Sequence, residues 1–367
     1  MPILIVGAGP VGLVTAIALK RCGHEPLVID ARPRGAGFDD PRALALSHGS
    51  RLIFERLDLW RRFAATPVRH IEVSQDGGFG RTHIAATDHR IDALGHVVRA
   101  GSLGAALLDA ALAIGVEMRF DSALGAVTPD GDALVTTVGD TTLATSLLIR
   151  AEGTRGREIA SVKEYGQTAI VSEAWSEQPH LHRAYERFTR DGPLALLPLD
   201  AGFSIVWCMA PERAAALLRL SCGEFIDLLQ EATRFAPFRW TRVAQRRSYP
   251  LTLTRRTVPD APCEIALGNA AQSLHPVAGQ GLNLGLRDAF ELSLALRDGV
   301  SVPILEAWRR RRRADRDAMV ATTDRYVSLF SNDFAPLRAA RGAGLALLDL
   351  LPPLRARVAR HMMFGAR

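Results

Sequence analysis

Two glycine-rich segments, far apart in the chain, carry residues that could bind an anionic ligand. The first, Gly7-Ala8-Gly9-Pro10-Val11-Gly12, follows the apolar run 3–6 directly and precedes a helical pattern. The second begins at Gly268, after the apolar run 265–267, and precedes an amphipathic helix predicted to open near Leu282. A helix that follows such a loop offers unpaired backbone N–H groups and the positive end of its dipole. Each segment therefore predicts an anion site.

The first segment has the complete order of a dinucleotide-binding unit. A strand, a glycine fingerprint, a helix, a second strand over 27–29 and Asp30 follow one another. We expect Gly7, Gly9 and Gly12 to provide the tight turn, the close approach of the pyrophosphate and close helix packing, and Asp30 to hold the ribose hydroxyls of the adenosine. A plain structural turn is the alternative, which the ordered unit disfavours.

The separation of the two segments indicates the kind of ligand. They lie about 260 positions apart, which implies one long ligand held at both ends. A nicotinamide dinucleotide would fit only the first. FAD fits both, with its pyrophosphate at Gly7–Gly12 and its ring before the helix that opens near Leu282, whose N–H groups can stabilise negative charge on the reduced flavin.

Composition bounds the remaining possibilities. The chain has 367 residues, of which 48% are hydrophobic, as in ordinary globular proteins. The formal net charge of +6 comes almost wholly from arginine, for example in the run 309–313. We interpret that run as a solvated helix face rather than a surface for nucleic acid or anionic lipid, because no nucleic-acid module accompanies it. No nucleic-acid partner is expected.

Cysteine and histidine spacing argues against a metal. The four cysteines are dispersed and form no ligand pattern, which favours a reducing compartment. His180 and His182 are expected to face solvent. The first strand begins at the second residue, which leaves no room for a signal peptide, and no apolar run approaches the roughly 20 residues that span a bilayer. The expected location is cytoplasmic, with peripheral contact at the inner membrane left open.

The order of patterns predicts an α/β fold: a Rossmann-like FAD-binding domain interrupted by a mainly β substrate domain, with a helical C-terminal region. The FAD-binding domain is assigned to 1–69, 93–167 and 249–302, the substrate domain to a hairpin at 70–92 and to 168–248, and the helical region to 303–367. Residues 40–46 are predicted to be an arginine-bearing loop.

Motifs along almost the whole chain resemble one enzyme family. They are, in order, GAGPVGL, DPRALALS, FGRTHIAATD, DALGHVV, GPLALLPL, GNAAQSLHPVAGQGLNLGLRD and TDRYVSLFSND. Together they resemble the single-component FAD-dependent aromatic hydroxylases, and among these the ubiquinone-biosynthesis branch. The fingerprint GAGPVG alone would be weak, whereas GNAAQ-x-LHP-x-AGQG-x-N is specific to that branch.

The resemblance implies bound FAD, with NAD(P)H and O2 as co-substrates and a polyprenyl phenol as substrate. It implies that Arg42 reaches the FAD phosphates and that Asn269 stands against the ribityl chain, where distant hydroxylases carry Asp. His275 and Pro276 are the implied catalytic residues beside the flavin ring, although His275 could serve only to shape the turn. The implied cofactor-binding residues are Gly7, Gly9, Pro10, Gly12, Asp30, Arg42, Glu152, Gly153, Asn269, Gly279, Gln280, Gly281, Leu282 and Asn283.

Two positions depart from the family pattern. Glu152 replaces the Asp of an Asp-Gly turn that, by resemblance, touches both FAD and NADPH, and the extra methylene could weaken flavin reduction. Ala100 stands where an Asn that contacts FAD is expected.

Several alternatives stay open at this point. The enzyme could act at another ring position or on a soluble aromatic, or the chain could be a catalytically weak, FAD-holding scaffold of a biosynthetic complex. Phe188 and the GPLALLPL strand are candidate walls of the substrate pocket. An apolar stripe over 345–364, interleaved with arginines, could pack on the parent domain or dock onto other ubiquinone-biosynthesis proteins or an anionic membrane.

Overall fold

The computed structural model describes residues 1–155, 161–255, 262–273, 279–330 and 335–365. Within these ranges the strands are β1 (Ile3–Val6), β2 (Pro26–Ile29), β3 (Ala43–Ser47), β4 (Thr66–Val68), β5 (His70–Gln75), β6 (Arg81–Ala85), β7 (Gly95–Arg99), β8 (Glu117–Arg119), β9 (Leu124–Asp130), β10 (Ala133–Val138), β11 (Thr141–Thr145), β12 (Leu147–Arg150), β13 (Ser161–Ser176), β14 (Arg183–Phe188), β15 (Pro193–Leu199), β16 (Gly202–Met209), β17 (Trp240–Val243), β18 (Arg247–Arg255) and β19 (Glu264–Ala266). The helices are α1 (Pro10–Arg21), α2 (His48–Arg56), α3 (Ala100–Ala113), α4 (Pro211–Arg219), α5 (Cys222–Ala232), α6 (Gln280–Ala295), α7 (Val302–Phe330), α8 (Ala335–Leu350) and α9 (Pro352–Phe364).

A parallel sheet forms the centre of the predicted FAD-binding domain, which we call the cofactor half. Its strand order is β19-β12-β1-β2-β8, and all four pairings are parallel. The chain runs outward from β1 to β2 and β8 on one side, and returns to β12 and β19 on the other. The order therefore reverses between β1 and β12, and in open α/β sheets ligands bind at the carboxyl ends of the strands on either side of such a point. The predicted α/β, Rossmann-like fold is confirmed.

Both faces of this sheet are covered, which explains why its strands are apolar throughout. Ile3 and Ile5 pack against helices α1, α3 and α6. Leu4 and Val6 face the opposite way, against the antiparallel sheet β11-β10-β9. Alternating side chains of β1 thus belong to two hydrophobic cores, one on each face of the parallel sheet.

The predicted substrate domain, which we call the substrate half, is built on a large, mostly antiparallel sheet. Its strand order is β17-β13-β16-β15-β14-β5-β6, and β18 also pairs with β13. The predicted hairpin is confirmed as β5 and β6, and β5 pairs in parallel with β14. Helices α4 and α5 cover one face of the sheet. A small sheet, β3-β7-β4, lies between this half and the cofactor half.

Two sequence-based predictions were wrong in detail. Residues 43–47 form strand β3, because this alternating Ala-Leu run pairs antiparallel with β7 instead of remaining a loop. The predicted mainly β segment 168–248 also contains α4 and α5. Both helices carried start signals: Pro211 begins α4, and Ser221 and Glu224 form a capping box at α5.

The arginine run on α7 is only partly a solvated face. Arg310 and Arg311 are exposed, but Arg312 is 4% exposed and donates to Asp288 at 2.6 Å. Arg316 donates to the other carboxylate oxygen of Asp288 at 2.8 Å. A buried charge is tolerated only when it is paired and hydrogen-bonded, and here the pairing fixes α7 to α6.

Candidate functional site

The carboxyl edge of the parallel sheet brings together residues from four segments. Gly7 follows β1, Asp30 follows β2, Glu152 follows β12 and Asn269 follows β19. The strands are parallel, so their carboxyl ends meet at one edge. The structure therefore gathers at the topological switch point residues that the sequence spreads over more than two thirds of the chain.

The glycine turn after β1 is shaped by three different requirements. Gly7 has φ +106°, and a β-carbon there would lie 2.6 Å from the Ala151 carbonyl oxygen. A β-carbon on Gly12 would lie 1.9 Å from the Gly7 oxygen. At Gly9, by contrast, no heavy atom of the described chain lies within 4 Å of the β-carbon position. The turn is packed from behind and open in front of Gly9, at the N-terminus of α1, and this arrangement fits a pyrophosphate.

Asp30 is fixed between the glycine turn and Arg32. Its Oδ2 accepts from the Ala8 N–H at 2.8 Å, and both oxygens accept from the Arg32 guanidinium, at 3.0 and 2.9 Å. Burial raises the pKa of Asp30, but these hydrogen bonds outweigh it and hold that pKa below its usual value. The carboxylate is therefore ionised and oriented at the edge where a ribose would lie. Arg32, two positions after the acid, was not predicted.

Arg42 lies towards the substrate half. Its Nε and Nη2 donate to Asp40 at 3.0 and 2.6 Å, and its guanidinium carbon is 5.7 Å from the centre of the Tyr249 ring on β18. Hydrogen bonding to Asp40 raises the pKa of Arg42, so its positive charge is secure. The predicted contact with the FAD phosphates stays a prediction.

The second glycine-rich segment packs against the first. Gly268, with φ +58°, has Val11 beside it, since a β-carbon on Gly268 would lie 3.1 Å from Val11 Cγ2. Asn269 is exposed, and its Oδ1 lies 3.9 Å from the β-carbon position of Gly281 in the first turn of α6. The N-terminal ends of α1 and α6 therefore lie side by side, as a ligand held by both would require.

The side chain of Asn283 is engaged wholly with protein. Its Nδ2 donates to the carbonyls of Ala45 and Gly279, at 2.9 and 2.8 Å, and its Oδ1 accepts from the Ser47 N–H and the Ser50 hydroxyl, at 2.8 and 2.7 Å. A side-chain amide has two donors and two good acceptor directions, so this one is saturated. Asn283 fastens α6 to β3 and α2, and a cofactor contact at this position is left to its backbone.

The predicted cofactor-binding residues close to Asn283 in the chain likewise offer a ligand mainly their backbone groups. Gln280 is 7% exposed and donates to the Met362 carbonyl of α9 at 3.2 Å, so its side chain turns towards the C-terminal helix. Gly279 adopts φ +57° beside Ala45. Leu282 is half-buried in the first turn of α6. What these residues offer a ligand is the N–H groups of a helix start.

The Glu152-Gly153 turn closes the site behind Gly7. Glu152 is half-buried, with its Oε1 3.5 Å from Nη1 of Arg150. Arg150 also pairs with the buried Glu264 of β19. Gly153 has φ +74°, and its β-carbon position has no described heavy atom within 4 Å, so its backbone is open. The longer carboxylate thus lies near the arginine that ends β12, two positions before it.

The predictions for the catalytic residues, for Ala100 and for the histidine pair have three different outcomes. His275 and Pro276 lie outside the described residues. Ala100 begins α3, and its N–H donates to the Arg42 carbonyl at 2.9 Å, so the loop before β3 occupies this helix start. His180 and His182 are half-buried with their rings 5.3 Å apart. Over the described ranges, no group of three His, Cys, Asp or Glu side chains is placed to ligate a metal.

Arg99, which was also not predicted, ties the two halves together. At the end of β7 it donates to Glu173 of β13 and, at 2.9 Å, to Asp200 in the turn between β15 and β16. Hydrogen bonding to Glu173 raises the pKa of Arg99. An arginine–carboxylate fork restricts orientation as well as distance, so this cluster fixes the large sheet over the cofactor half.

Comparison with known proteins identifies the family of the chain. The profile of the FAD-binding domain family matches residues 1–322. The chain belongs to this family. The chain is 32% identical to ubiquinone hydroxylase UbiL of Rhodospirillum rubrum, over 98% of its own length and 89% of the relative. It is 29% identical to 3-demethoxyubiquinol 3-hydroxylase of Escherichia coli, over 98% of both chains.

Solved structures share the fold. The p-nitrophenol 4-monooxygenase PnpA from Pseudomonas putida superimposes with a TM-score of 0.80 at 18% identity, covering 100% of this chain and 98% of that one. An HpxO variant of Klebsiella pneumoniae, complexed with FAD, gives 0.78 at 17% identity and covers 100% and 99%. The recognition of the chain as an FAD-dependent hydroxylase of the ubiquinone branch is confirmed, and with it the FAD cofactor.

Proposed function

We propose that this protein is an FAD-dependent monooxygenase that hydroxylates the aromatic ring of a polyprenyl phenol in ubiquinone biosynthesis, using NAD(P)H and O2. The observation that carries the proposal is the similarity to two ubiquinone-pathway hydroxylases over 98% of the chain. The switch-point site supports it, because the glycine turn and Asp30 lie at one edge of the parallel sheet and the first turn of α6 lies beside the start of α1.

Bound FAD would supply the hydride acceptor and the activation of oxygen, which amino-acid side chains cannot provide. The chain's own residues bind and orient. The α1 N-terminus would hold the pyrophosphate, Asp30 the ribose, and the N–H groups of Gly279 to Leu282 the pyrimidine side of the ring. Asn269 would contact the ribityl chain, and the predicted catalytic roles of His275 and Pro276 stay predictions.

The substrate would lie between this groove and the large sheet. Strand β15 turns Ala195, Leu197 and Leu199 towards the cofactor half, whereas Leu194 and Leu196 join the core under α4 and α5. Phe188 of β14 points the same way as Ala195 because of its place in the register. An apolar wall suits a prenylated ring.

The ring position is the first experimental question. Within the branch, the sequence motifs most resemble 2-octaprenyl-6-methoxyphenol hydroxylases, so a prenylated methoxyphenol is the first substrate to test. The purified protein should be yellow, oxidise NAD(P)H faster with such a phenol present, and release the hydroxylated product. Quinone profiling of cells lacking the gene should show an accumulated intermediate that names the blocked position. Unchanged quinones and intermediates would contradict the ubiquinone assignment.

The same assays separate the alternatives. Equal turnover of unprenylated phenols would favour a hydroxylase of soluble aromatics. FAD binding without NAD(P)H oxidation would favour the scaffold, and Glu152→Asp should then restore reduction if the longer side chain is the cause. The Glu152 carboxylate lies 3.5 Å from Nη1 of Arg150, so this variant also tests whether that contact matters for flavin reduction.

We also propose that the protein meets the membrane through the corner between α8 and α9, which would give access to a substrate with a polyprenyl tail. No helix among the described residues has the length and apolarity to span a bilayer. The corner instead exposes four leucines, which we name the leucine corner, namely Leu347, Leu350, Leu351 and Leu354, at 49%, 76%, 44% and 38%. Arg357 and Arg360 of α9 are exposed beside it. Apolar side chains flanked by arginines suit an anionic bilayer surface.

Flotation of the FAD-loaded protein with vesicles tests this contact. We expect co-flotation with vesicles containing phosphatidylglycerol, weaker binding to pure phosphatidylcholine, and loss of binding in the double variant L350D/L351D. L181D is the matched control, because Leu181 is 68% exposed but lies in the substrate half. Equal flotation of both variants, or capture of the wild type only by a partner protein, would contradict the membrane assignment.

A further inference from the structure

A buried carboxylate on the large sheet has no role in the cofactor site. Glu186 lies on β14, and its Oε1 is fully buried without a hydrogen-bond partner among the described residues. The residue nevertheless keeps partial exposure, so part of its side chain borders a space that a water molecule can reach. A buried carboxyl oxygen without a hydrogen-bond partner costs stability, and a ligand that donates a hydrogen bond to it would remove that cost.

The direction of this side chain follows from the sheet register. Tyr185 and Arg187, its neighbours along β14, belong to the face covered by α4 and α5, where Arg187 lies over the Phe235 ring at 4.5 Å. Glu186 therefore points to the opposite face with Ala184. Ala184 packs against Val97 of the small sheet, on the side of the cofactor half. Glu186 thus faces the cofactor half.

The row of residues around Glu186 is otherwise uncharged. Across neighbouring strands, Val73 and Ala195 are its direct partners, followed by Thr82 beyond Val73 and Val206 beyond Ala195. Thr82 is 3% exposed, and within the described chain its hydroxyl also lacks a partner. The wall therefore offers two polar groups in an apolar row, which is the pattern of a pocket for an aromatic ring with oxygen substituents.

We propose that Glu186 accepts the hydroxyl hydrogen of the phenolic substrate, first as a hydrogen bond and then as a proton during ring hydroxylation. The inference rests on the proposed function, and extends it to a residue that binds the substrate. Breaking the phenol O–H bond transfers the proton to Glu186 and leaves the electron pair on the oxygen, which activates the ring. The ring carbon then forms its bond to an oxygen atom derived from O2, for which NAD(P)H supplies two electrons through FAD and the second oxygen atom leaves as water. The ring hydrogen leaves as a proton to solvent, and Glu186 returns its own proton to the phenolic oxygen. Acid–base balance is thereby restored.

The surroundings tune this carboxyl group for the task. Burial raises the pKa of Glu186 to about 8, closer to that of a phenol and therefore a better acceptor than an ordinary glutamate. Cys208 of β16 is the titratable neighbour, and burial raises the pKa of its thiol as well, so it stays neutral. Arg341 is buried on α8, which packs over β5 and β6. Arg183 pairs with Glu72 instead of with Glu186.

Binding of 2-geranyl-6-methoxyphenol to the oxidised, FAD-loaded enzyme gives the first test, followed through the flavin absorbance between pH 6 and 9.5. Because the ionised carboxylate is the acceptor, wild-type affinity should rise several-fold as the pH passes about 8. Glu186→Gln should lose this rise, and Glu186→Asp should keep it with weaker binding. Hydroxylation by Glu186→Gln should fall by roughly 10²-fold or more, the usual effect of removing a general base, with unchanged FAD content.

Glu72→Gln is the matched control. It neutralises a carboxylate one strand away, paired with Arg183 at 3.1 Å on the opposite face, and should leave the pH profile intact. Above pH 8, Glu186→Gln should be no less stable than wild type, since it removes a buried charge that has no partner among the described residues. Tighter binding below pH 8, or a Glu186→Gln profile like that of wild type, would overturn the role of Glu186. Phenol binding without hydroxylation would contradict the proposed function, and the pH profile of binding would still test the role of Glu186. Absence of phenol binding would overturn both the proposed function and the role of Glu186.

Discussion

Val11 of α1 lies against Gly285 of α6, where an added β-carbon would be 2.8 Å from Val11 Cγ2 and 3.0 Å from the Gly268 Cα. This contact joins the helix that follows the first glycine-rich segment to the helix that follows the second. The spacing between the two ends of the FAD site is therefore set by a residue that has no side chain.

Gly285→Ala should push α6 away from α1, because the Gly268 backbone cannot rotate aside as a side chain can. We expect a stability loss of about 1–3 kcal/mol, as for other overpacked cores, and at least roughly tenfold weaker FAD binding. Urea unfolding and fluorescence titration with FAD measure the two effects. Gly104→Ala is the control, since Gly104 lies in α3 with no described heavy atom within 4 Å of its β-carbon position. Unchanged FAD affinity in Gly285→Ala would contradict the argument.

Gly9→Ala should separate folding from cofactor binding. The backbone at Gly9 has φ −79° and ψ 175°, which alanine adopts without strain, and the β-carbon position is free of described protein atoms. The apo protein should keep its thermal unfolding midpoint. The new methyl group would occupy the space in front of the α1 N-terminus, so FAD retained after purification should fall sharply. Normal FAD content would show that the pyrophosphate lies elsewhere.

Asn283→Ala should lower the stability of the protein more directly than it weakens FAD binding. The substitution leaves the buried Ser50 hydroxyl and three half-buried backbone groups without their partner, and an unsatisfied buried group costs about 1–3 kcal/mol. We expect a large drop in urea midpoint in the apo protein. Asn283→Asp is the informative companion, because it keeps the acceptor contacts with Ser47 and Ser50 but loses both donors. Full stability of the alanine variant would remove Asn283 from the scaffold.

His96 predicts how stability depends on pH. It is 6% exposed on β7, its ring lies 4.7 Å from that of Trp60, and burial, assisted by Arg51, lowers its pKa to about 4. Between pH 6.5 and 4 the unfolded chain binds a proton that the folded chain does not. Stability should be full above pH 6.5 and fall by about 3 kcal/mol as the pH drops to about 4.

His96→Leu tests this window, because the leucine variant should lose that part of the pH dependence measured by urea unfolding. The same change at His89, which is half-buried in the turn 86–89, should not flatten the curve. An equally steep curve in His96→Leu would assign the acid sensitivity to other groups.

Sequence reasoning reached the cofactor edge because its signals are local. The glycine fingerprint, Asp30 after β2 and the pair Gly268-Asn269 after β19 each lie within a short window, and the structure brings them to one edge. The structural role of the Asn283 side chain could not be predicted, since three of its four contacts come from residues that only the fold brings near. The domain limits and the roles of individual site residues stay predictions.

Non-local features escaped the sequence. The role of Arg99 depends on the carboxylates of Glu173 and Asp200, which lie 74 and 101 positions later in the chain. Glu186 looks like one more charge in the stretch Tyr185 to Phe188, and only the register of five strands shows which way it points. Helices α4 and α5 were missed for another reason, because their capping signals were present but outweighed by the surrounding strand-like runs.

The parallel pairing of β5 with β14 unites a hairpin at residues 70–85 with a strand that starts at Arg183. A recombinant piece limited to 168–248 would lack that hairpin and would leave the β14 edge unpaired, with its N–H and C=O groups free to recruit other chains. Swapping this segment between related enzymes to exchange specificity would therefore require transplanting the early hairpin together with it.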